Sequence, residues 1–414
     1  MGRPVQSSPR SGVSPQSGGF SLSAVRTRDH PEPVDVRVTG GVISGIEPAA
    51  DPTGAQDRYL IPGLVESHIH LEKAYLLDRM PREAATLGEA MQMTAALKAT
   101  FTPSDIRRRS LRVLRAGLAH GVTTFRAHVE LDDVLELRAI DTLLELRDEV
   151  RGRVELQIVA FPQEGLFTQR RGLDLMRAAM LSGIDAIGGI PYADADAEQH
   201  LDAVFALAEA SGLPLDFHVD LCDDPDRLDI VGIAHRTIAA GLQGRVNAGH
   251  VTSLGSADSM TLAATVDLLR QADISVITLP TTDVFLNGRS DSGSPRRGLT
   301  PVARLLEGGV NVAVSTNNIQ NAFTPFGRGS LIDTAVLLAS LCHFGSAEEA
   351  LTVVDMMSTR AARAIGADAS GLAVGAPATF SVWPLSHERE ILGDVDRPIA
   401  VYLRGAVVSP EDLP

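Results

Sequence analysis

His68 and His70 sit one residue apart at the end of the apolar run Tyr59–Val65, and their types and spacing suit metal chemistry. In a strand, residues two apart point to the same face, so both imidazoles emerge together, as a divalent ion requires. The pair alone is a weak signal, because an exposed strand end reads the same way. Further polar groups close later apolar runs. His218 follows Leu213–Phe217, His250 follows Val246–Gly249, and the last run ends in Ser315-Thr316-Asn317-Asn318. Several imidazoles at the ends of successive strands point to one metal centre rather than to separate structural histidines. Imidazole ligands with an open position suit zinc, and the same set accepts iron(II) or manganese(II).

The elements that must position these residues read as strand followed by helix, repeated. Eight apolar runs of strand length are each followed by a longer amphipathic segment: Leu60–Ser67, Val122–Val129, Val154–Phe161, Ala186–Ile190, Pro214–Val219, Arg245–Gly249, Ser275–Leu279 and Val310–Ser315. This α/β pattern predicts a (β/α)8 TIM barrel over residues 61–366, with its chemistry at the C-terminal strand ends. A doubly wound sheet is the alternative, but no glycine fingerprint opens the first helix. Short alternating runs at 21–60 and 367–414 predict a small β-sandwich built from both termini, and residues 1–20 read as a disordered tail without the apolar core of a signal peptide.

With 414 residues, 44% of them hydrophobic, the chain can bury one large core and a satellite. A net charge of −15 argues against a nucleic-acid or anionic-membrane partner and favours a small-molecule substrate. Two cysteines make no disulfide framework, so a reducing, cytoplasmic setting is expected.

The longer motifs are more specific. Pro62-Gly-Leu-Val-Glu-Ser-His-Ile-His-Leu-Glu-Lys73, Arg126-Ala-His-Val-Glu130, Gln157–Gly165, Ala248-Gly-His-Val-Thr252, Arg296-Arg-Gly298 and Asn318-x6-Pro-Phe-Gly327 together resemble the amidohydrolase superfamily, in its cytosine deaminase and triazine-ring amidohydrolase branch. The resemblance covers nearly the whole chain from about residue 21. It implies a metal-centred TIM barrel, a homo-oligomer and a small cyclic substrate. Carried over by residue, it makes His68, His70 and His218 metal ligands and His250 the histidine that assists the reaction. Gln163, Lys73, Phe161 and Asn318 become substrate-binding residues. Arg126 and His128 also match the branch, or form a buried structural pair.

Two positions depart from the pattern. Asn317 stands where the family has an aspartate that ligates metal and shuttles a proton; its amide oxygen coordinates weakly and takes no proton near neutrality. Leu221 stands where deaminases have a glutamate, leaving Asp220 as the carboxylate expected beside the metal. Glu164, Asp223, Asp224 and Asp283 read as solvated loop acids, and Cys222 as a small buried residue. The expected function is metal-dependent hydrolysis of a C–N bond in a small nitrogen-rich ring. The alternatives are a non-hydrolytic isomerase, cyclase or lyase acting on a similar ring, and a non-catalytic ligand-binding protein.

Overall fold

The computed structural model describes residues 18–52, 57–368, 371–393 and 397–414. Most of the segment expected to be a disordered tail lies outside them; Phe20 already opens the first strand. Strands β1 (Phe20–Val25), β2 (Val34–Thr39) and β3 (Val42–Pro48) form an antiparallel sheet. A second sheet joins β4 (Tyr59–Pro62) to three C-terminal strands described below. Val36, Val38 and Ile43 from the first sheet pack with Leu60, Phe380 and Val382 from the second. Alternation of apolar and polar residues along β2 puts one face into that core and leaves the other wet.

The barrel strands follow in order: β5 (Leu64–Ile69), β6 (Val122–Glu130), β7 (Glu155–Phe161), β8 (Ala186–Gly189), β9 (Leu215–Val219), β10 (Val246–His250), β11 (Ser275–Thr278) and β12 (Val312–Val314). All adjacent pairs are parallel and joined through helices. The seam between β12 and β5 closes just past the strand ends. Asn317 N donates to His68 O (3.1 Å) and His70 N donates to Asn317 O (2.9 Å). Beyond the barrel, β13 (Phe380–Trp383), β14 (Ala400–Leu403) and β15 (Ala406–Val408) complete the second small sheet.

The first expected barrel strand, Leu60–Ser67, divides in two. Pro62-Gly63 ends the pairing of β4 with β13, and Leu64 then turns to Gly121 in the barrel. A side chain at 63 would collide with Thr123, its Cβ lying 2.4 Å from the hydroxyl oxygen, which explains the glycine at this crossing. In β6, Phe125 faces helix Pro103–Ala119, where Gly117 leaves room for its ring. The alternate residues Arg126, His128 and Glu130 are buried too, and make the polar contacts described below. The barrel thus packs apolar side chains outward against its helices and carries charge within.

Candidate active site

His68, His70, His218, His250 and Asn317 meet at the C-terminal end of the barrel, none more than 3% exposed. The Nε2 atom of His218 lies 3.0 Å from that of His68 and 3.0 Å from that of His70. His70 Nδ1 donates to His128 O at 2.9 Å, which leaves the His70 Nε2 as a lone pair. One ring nitrogen on His218 offers a single hydrogen or a single lone pair, so it cannot match both neighbours. A cation between the three nitrogens matches all of them. Tetrahedral zinc–nitrogen bonds put neighbouring nitrogens about 3.3 Å apart, close to the spacing seen. Burial, then the neighbouring His128, His70 and His250 charges, hold His68 far below the usual imidazole range, and burial likewise lowers His70 and His218. The rings are therefore neutral, the form that binds metal.

Asn317 joins this group through its backbone at the seam, and its Oδ1 is buried without a hydrogen-bond partner among the described residues. Its φ of +64° is left-handed, as are Asp220 (+54°) and His250 (+75°), so three strand ends carry non-glycine residues in a costly conformation. Phe161 stacks on His218 with centroids 4.0 Å apart, forming a wall of the site. His128 stacks on His68 at 3.8 Å and places Nε2 3.1 Å from Asp216. Arg126 meets the other oxygen of Asp216 at 3.0 Å, so Arg126 and His128 share one buried carboxylate. Gly249 is required by close approach: a Cβ there would lie 2.8 Å from His68 Cε1.

Lys73 is buried. Its Nζ donates to Glu130 (2.6 Å) and to Gln163 Oε1 (3.0 Å) and lies 4.4 Å from the centre of the Phe323 ring. Gln163 is thereby oriented with its amide nitrogen available. Lys98 extends the network to Glu130, Asp132 and Glu164 at 2.7–2.8 Å, so Glu164 is an ion-pair partner and not a solvated turn. Among the described residues Glu72 has no hydrogen-bond partner on either oxygen, and burial followed by the Glu130 charge pushes it up to about 7. Two groups could hold an ion by mutual spacing: His68, His128 and His218, and His70, Glu72 and Glu130. His70 Nδ1, 3.8 Å from Glu72, is already the donor to His128, so this second group lacks a free imidazole ligand.

Other expected residues are engaged by different partners. The Asp220 carboxylate turns to the start of helix Asp229–Ala239, where both its oxygens accept backbone N–H groups, from Asp229 (2.9 Å) and Ile230 (3.3 Å). Asn318 Oδ1 accepts from Asn321. Cys222 lies 3.1 Å from the Ser253 hydroxyl, and Asp223 accepts from Gly288 N. Leu221 packs with Met93, Leu286 and Phe323 in an apolar cluster on this face. Beside it opens a pocket of about 620 Å³ lined by Leu87, Tyr192, Leu221, Arg227 and Leu286 among others.

Asp283 is not the solvated loop acid that the sequence suggests. It is fully buried, and its Oδ1 accepts from His250 Nδ1 at 2.6 Å. The signal was Pro280 followed three residues later by an acid, a helix start directly after strand β11.

Comparison with known proteins identifies the family and the fold. The chain is 27% identical to a pterin deaminase of Rhizobium rhizogenes over 385 residues, covering 91% of this chain and 87% of the relative. A 5-methylcytosine deaminase structure from Klebsiella pneumoniae superposes with TM-score 0.89 at 30% identity, over 94% of this chain and 97% of the other. N-isopropylammelide isopropylaminohydrolase from Burkholderia multivorans follows with TM-score 0.80 at 28% identity, over 94% and 98%. No helix among the described residues is long and apolar enough to cross a membrane. The Amidohydrolase family pattern matches residues 59–408, so the chain belongs to that family and is a hydrolase of carbon–nitrogen bonds other than peptide bonds.

Proposed function

We propose that this protein hydrolyses the bond between a ring carbon and a nitrogen in a small, flat, nitrogen-rich heterocycle such as an aminopyrimidine, pterin or aminotriazine. The observation that carries the reading is that the His218 Nε2 lies 3.0 Å from the Nε2 of both His68 and His70, at the strand ends where Asn317 is tied by its backbone and keeps a buried amide oxygen with no hydrogen-bond partner among the described residues. His68, His70 and His218 would hold one divalent ion, with the Asn317 amide as a neutral fourth donor; zinc suits the set best, and iron(II) or manganese(II) also fit. When bound, the ion would supply Lewis acidity and lower the pKa of water. The same reading extends to a homo-oligomeric, cytoplasmic enzyme.

The chain's own groups supply the rest. Gln163, its oxygen held by Lys73, donates its amide hydrogens to an acceptor on the ring edge. Phe161 packs against His218 and keeps water from that side. His250 takes a proton from the attacking water and returns it to the departing nitrogen, so ammonia or an amine leaves; the second water proton ends on the adjacent ring nitrogen as the ring hydroxyl becomes C=O. Asp220 is spent on a helix start and plays no part in this transfer.

The test is metal analysis of the purified protein together with ammonia or amine release from pyrimidines, pterins, triazines and hydantoins. About one equivalent of metal and release from one of these classes is expected. Stoichiometric metal with no release from any of them would overturn the reading and favour a non-hydrolytic step.

A further inference from the structure

The proton transfer assigned to His250 raises a question its position alone does not answer: which ring nitrogen carries the hydrogen. His250 ends β10, and its carbonyl accepts from the Thr300 hydroxyl at 2.6 Å, which fixes the backbone. Its ring centre lies 5.4 Å from that of His218 and 6.0 Å from that of His68. On its other side, Nδ1 meets Asp283 Oδ1 at 2.6 Å, both side chains buried. Asp283 Oδ2 accepts the backbone N–H of Leu279 at 3.3 Å, so the carboxylate has one orientation. A carboxylate only accepts, so the hydrogen sits on Nδ1 and Nε2 keeps its lone pair. Meanwhile Asn317, at the seam between the first and last strands, has no charge and no capacity to take a proton.

We propose that Asp283 is a positioning residue that holds His250 as the Nδ1-protonated tautomer, and that the Asp283–His250 pair performs the proton transfer that an amide at 317 cannot. The inference rests on the hydrolytic reading above. As the water oxygen bonds to the ring carbon, His250 Nε2 takes one of its protons, and Asp283 stabilises the charge on the ring without taking the proton itself. As the carbon–nitrogen bond breaks, the same proton passes to the leaving nitrogen and His250 returns to its starting tautomer. Water supplies every atom gained, and no oxidant or reductant enters.

The experiment is a long-range proton–nitrogen spectrum of the zinc-loaded, histidine-labelled full chain, alongside steady-state kinetics. Wild type should show His250 protonated on Nδ1. In Asp283→Asn the amide oxygen pairs with Leu279 N–H and the NH2 group faces Nδ1, so the hydrogen should move to Nε2. The kcat should then fall on the order of 10²–10⁴-fold with KM little changed, and adding Asn317→Asp to Asp283→Asn should restore at least about tenfold of that loss. Wild-type His250 protonated on Nε2, or an Asp283→Asn protein with unchanged tautomer and kcat, overturns the proposal. Failure of the double variant to recover overturns its link to Asn317. The spectrum needs no substrate, so absence of hydrolysis would sink the functional reading while the tautomer still judges Asp283.

Discussion

Two buried polar clusters lie side by side at this end of the barrel, and they are built on opposite terms. In the lysine–carboxylate network, Lys73 and Lys98 each face two or more acceptors within 3.0 Å, and the carboxylates of Glu130, Asp132 and Glu164 each meet an ammonium. In the histidine centre, His68 Nδ1, His218 Nδ1 and Asn317 Oδ1 have no hydrogen-bond partner among the described residues, and the His218 Nε2 crowds those of both His68 and His70. Burying polar groups unpaired costs free energy, so a cluster that leaves them so is completed by something that binds there, whereas a fully paired cluster is complete as folded. The network is scaffold, and the centre is a receptor.

That contrast can be broken at several points. Lys98→Met takes the ammonium from Asp132 and Glu164 and leaves Glu130 with Lys73 alone, and should cost about 3–5 kcal/mol in urea unfolding. A loss under about 1 kcal/mol would mean that the network is not scaffold. Acid should act on the network as well. Burial works against ionisation of Glu130, but Lys73 and Lys98 outweigh it and hold the carboxyl at about 2. A depressed carboxyl stabilises the fold above its unfolded value, about 4.3. That contribution should disappear as pH falls from there through about 2, and Glu130→Gln should flatten the slope of stability against pH in this window.

In the centre the effects should read in binding instead. Gly249→Ala pushes a methyl group against His68 and should weaken zinc affinity about 10–100-fold by competition titration. An unchanged affinity would mean that His68 is not held by this contact. The smallest stability change should come from His68→Gln in metal-stripped protein, within about 1 kcal/mol of wild type, because it removes a crowded nitrogen rather than a paired one. The same variant should lose its stoichiometric metal. A large destabilisation without metal would move the histidines to the scaffold side.

Sequence patterns reached the centre more readily than the network. The period-two spacing of His68 and His70, and the position of His218 and His250 at the ends of apolar runs, follow from local strand geometry, which the chain writes over a few residues. The barrel and its companion sheets were legible for the same reason. Lys98 was not legible, since its partners come from the ends of β6 and β7 and only the closed barrel brings them to its helix. Asp283 was misread as a loop acid because its partner is on a different strand. Asp220 was placed by its offset from His218, which gives distance along the chain but not direction; a left-handed backbone turns its carboxylate to the next helix.

The seam at Asn317 gives the site one more property. Strand β5 opens the barrel and strand β12 closes it, and they meet through the Asn317 backbone on both sides of Ile69. Anything that grips His68, His70 and the Asn317 amide together acts as a reversible crosslink between the first and last strands, closing the largest loop the barrel contains. Occupancy and cylinder closure then become one equilibrium, and the amide hydrogens of His70 and Asn317 should exchange with deuterium more slowly when the centre is filled.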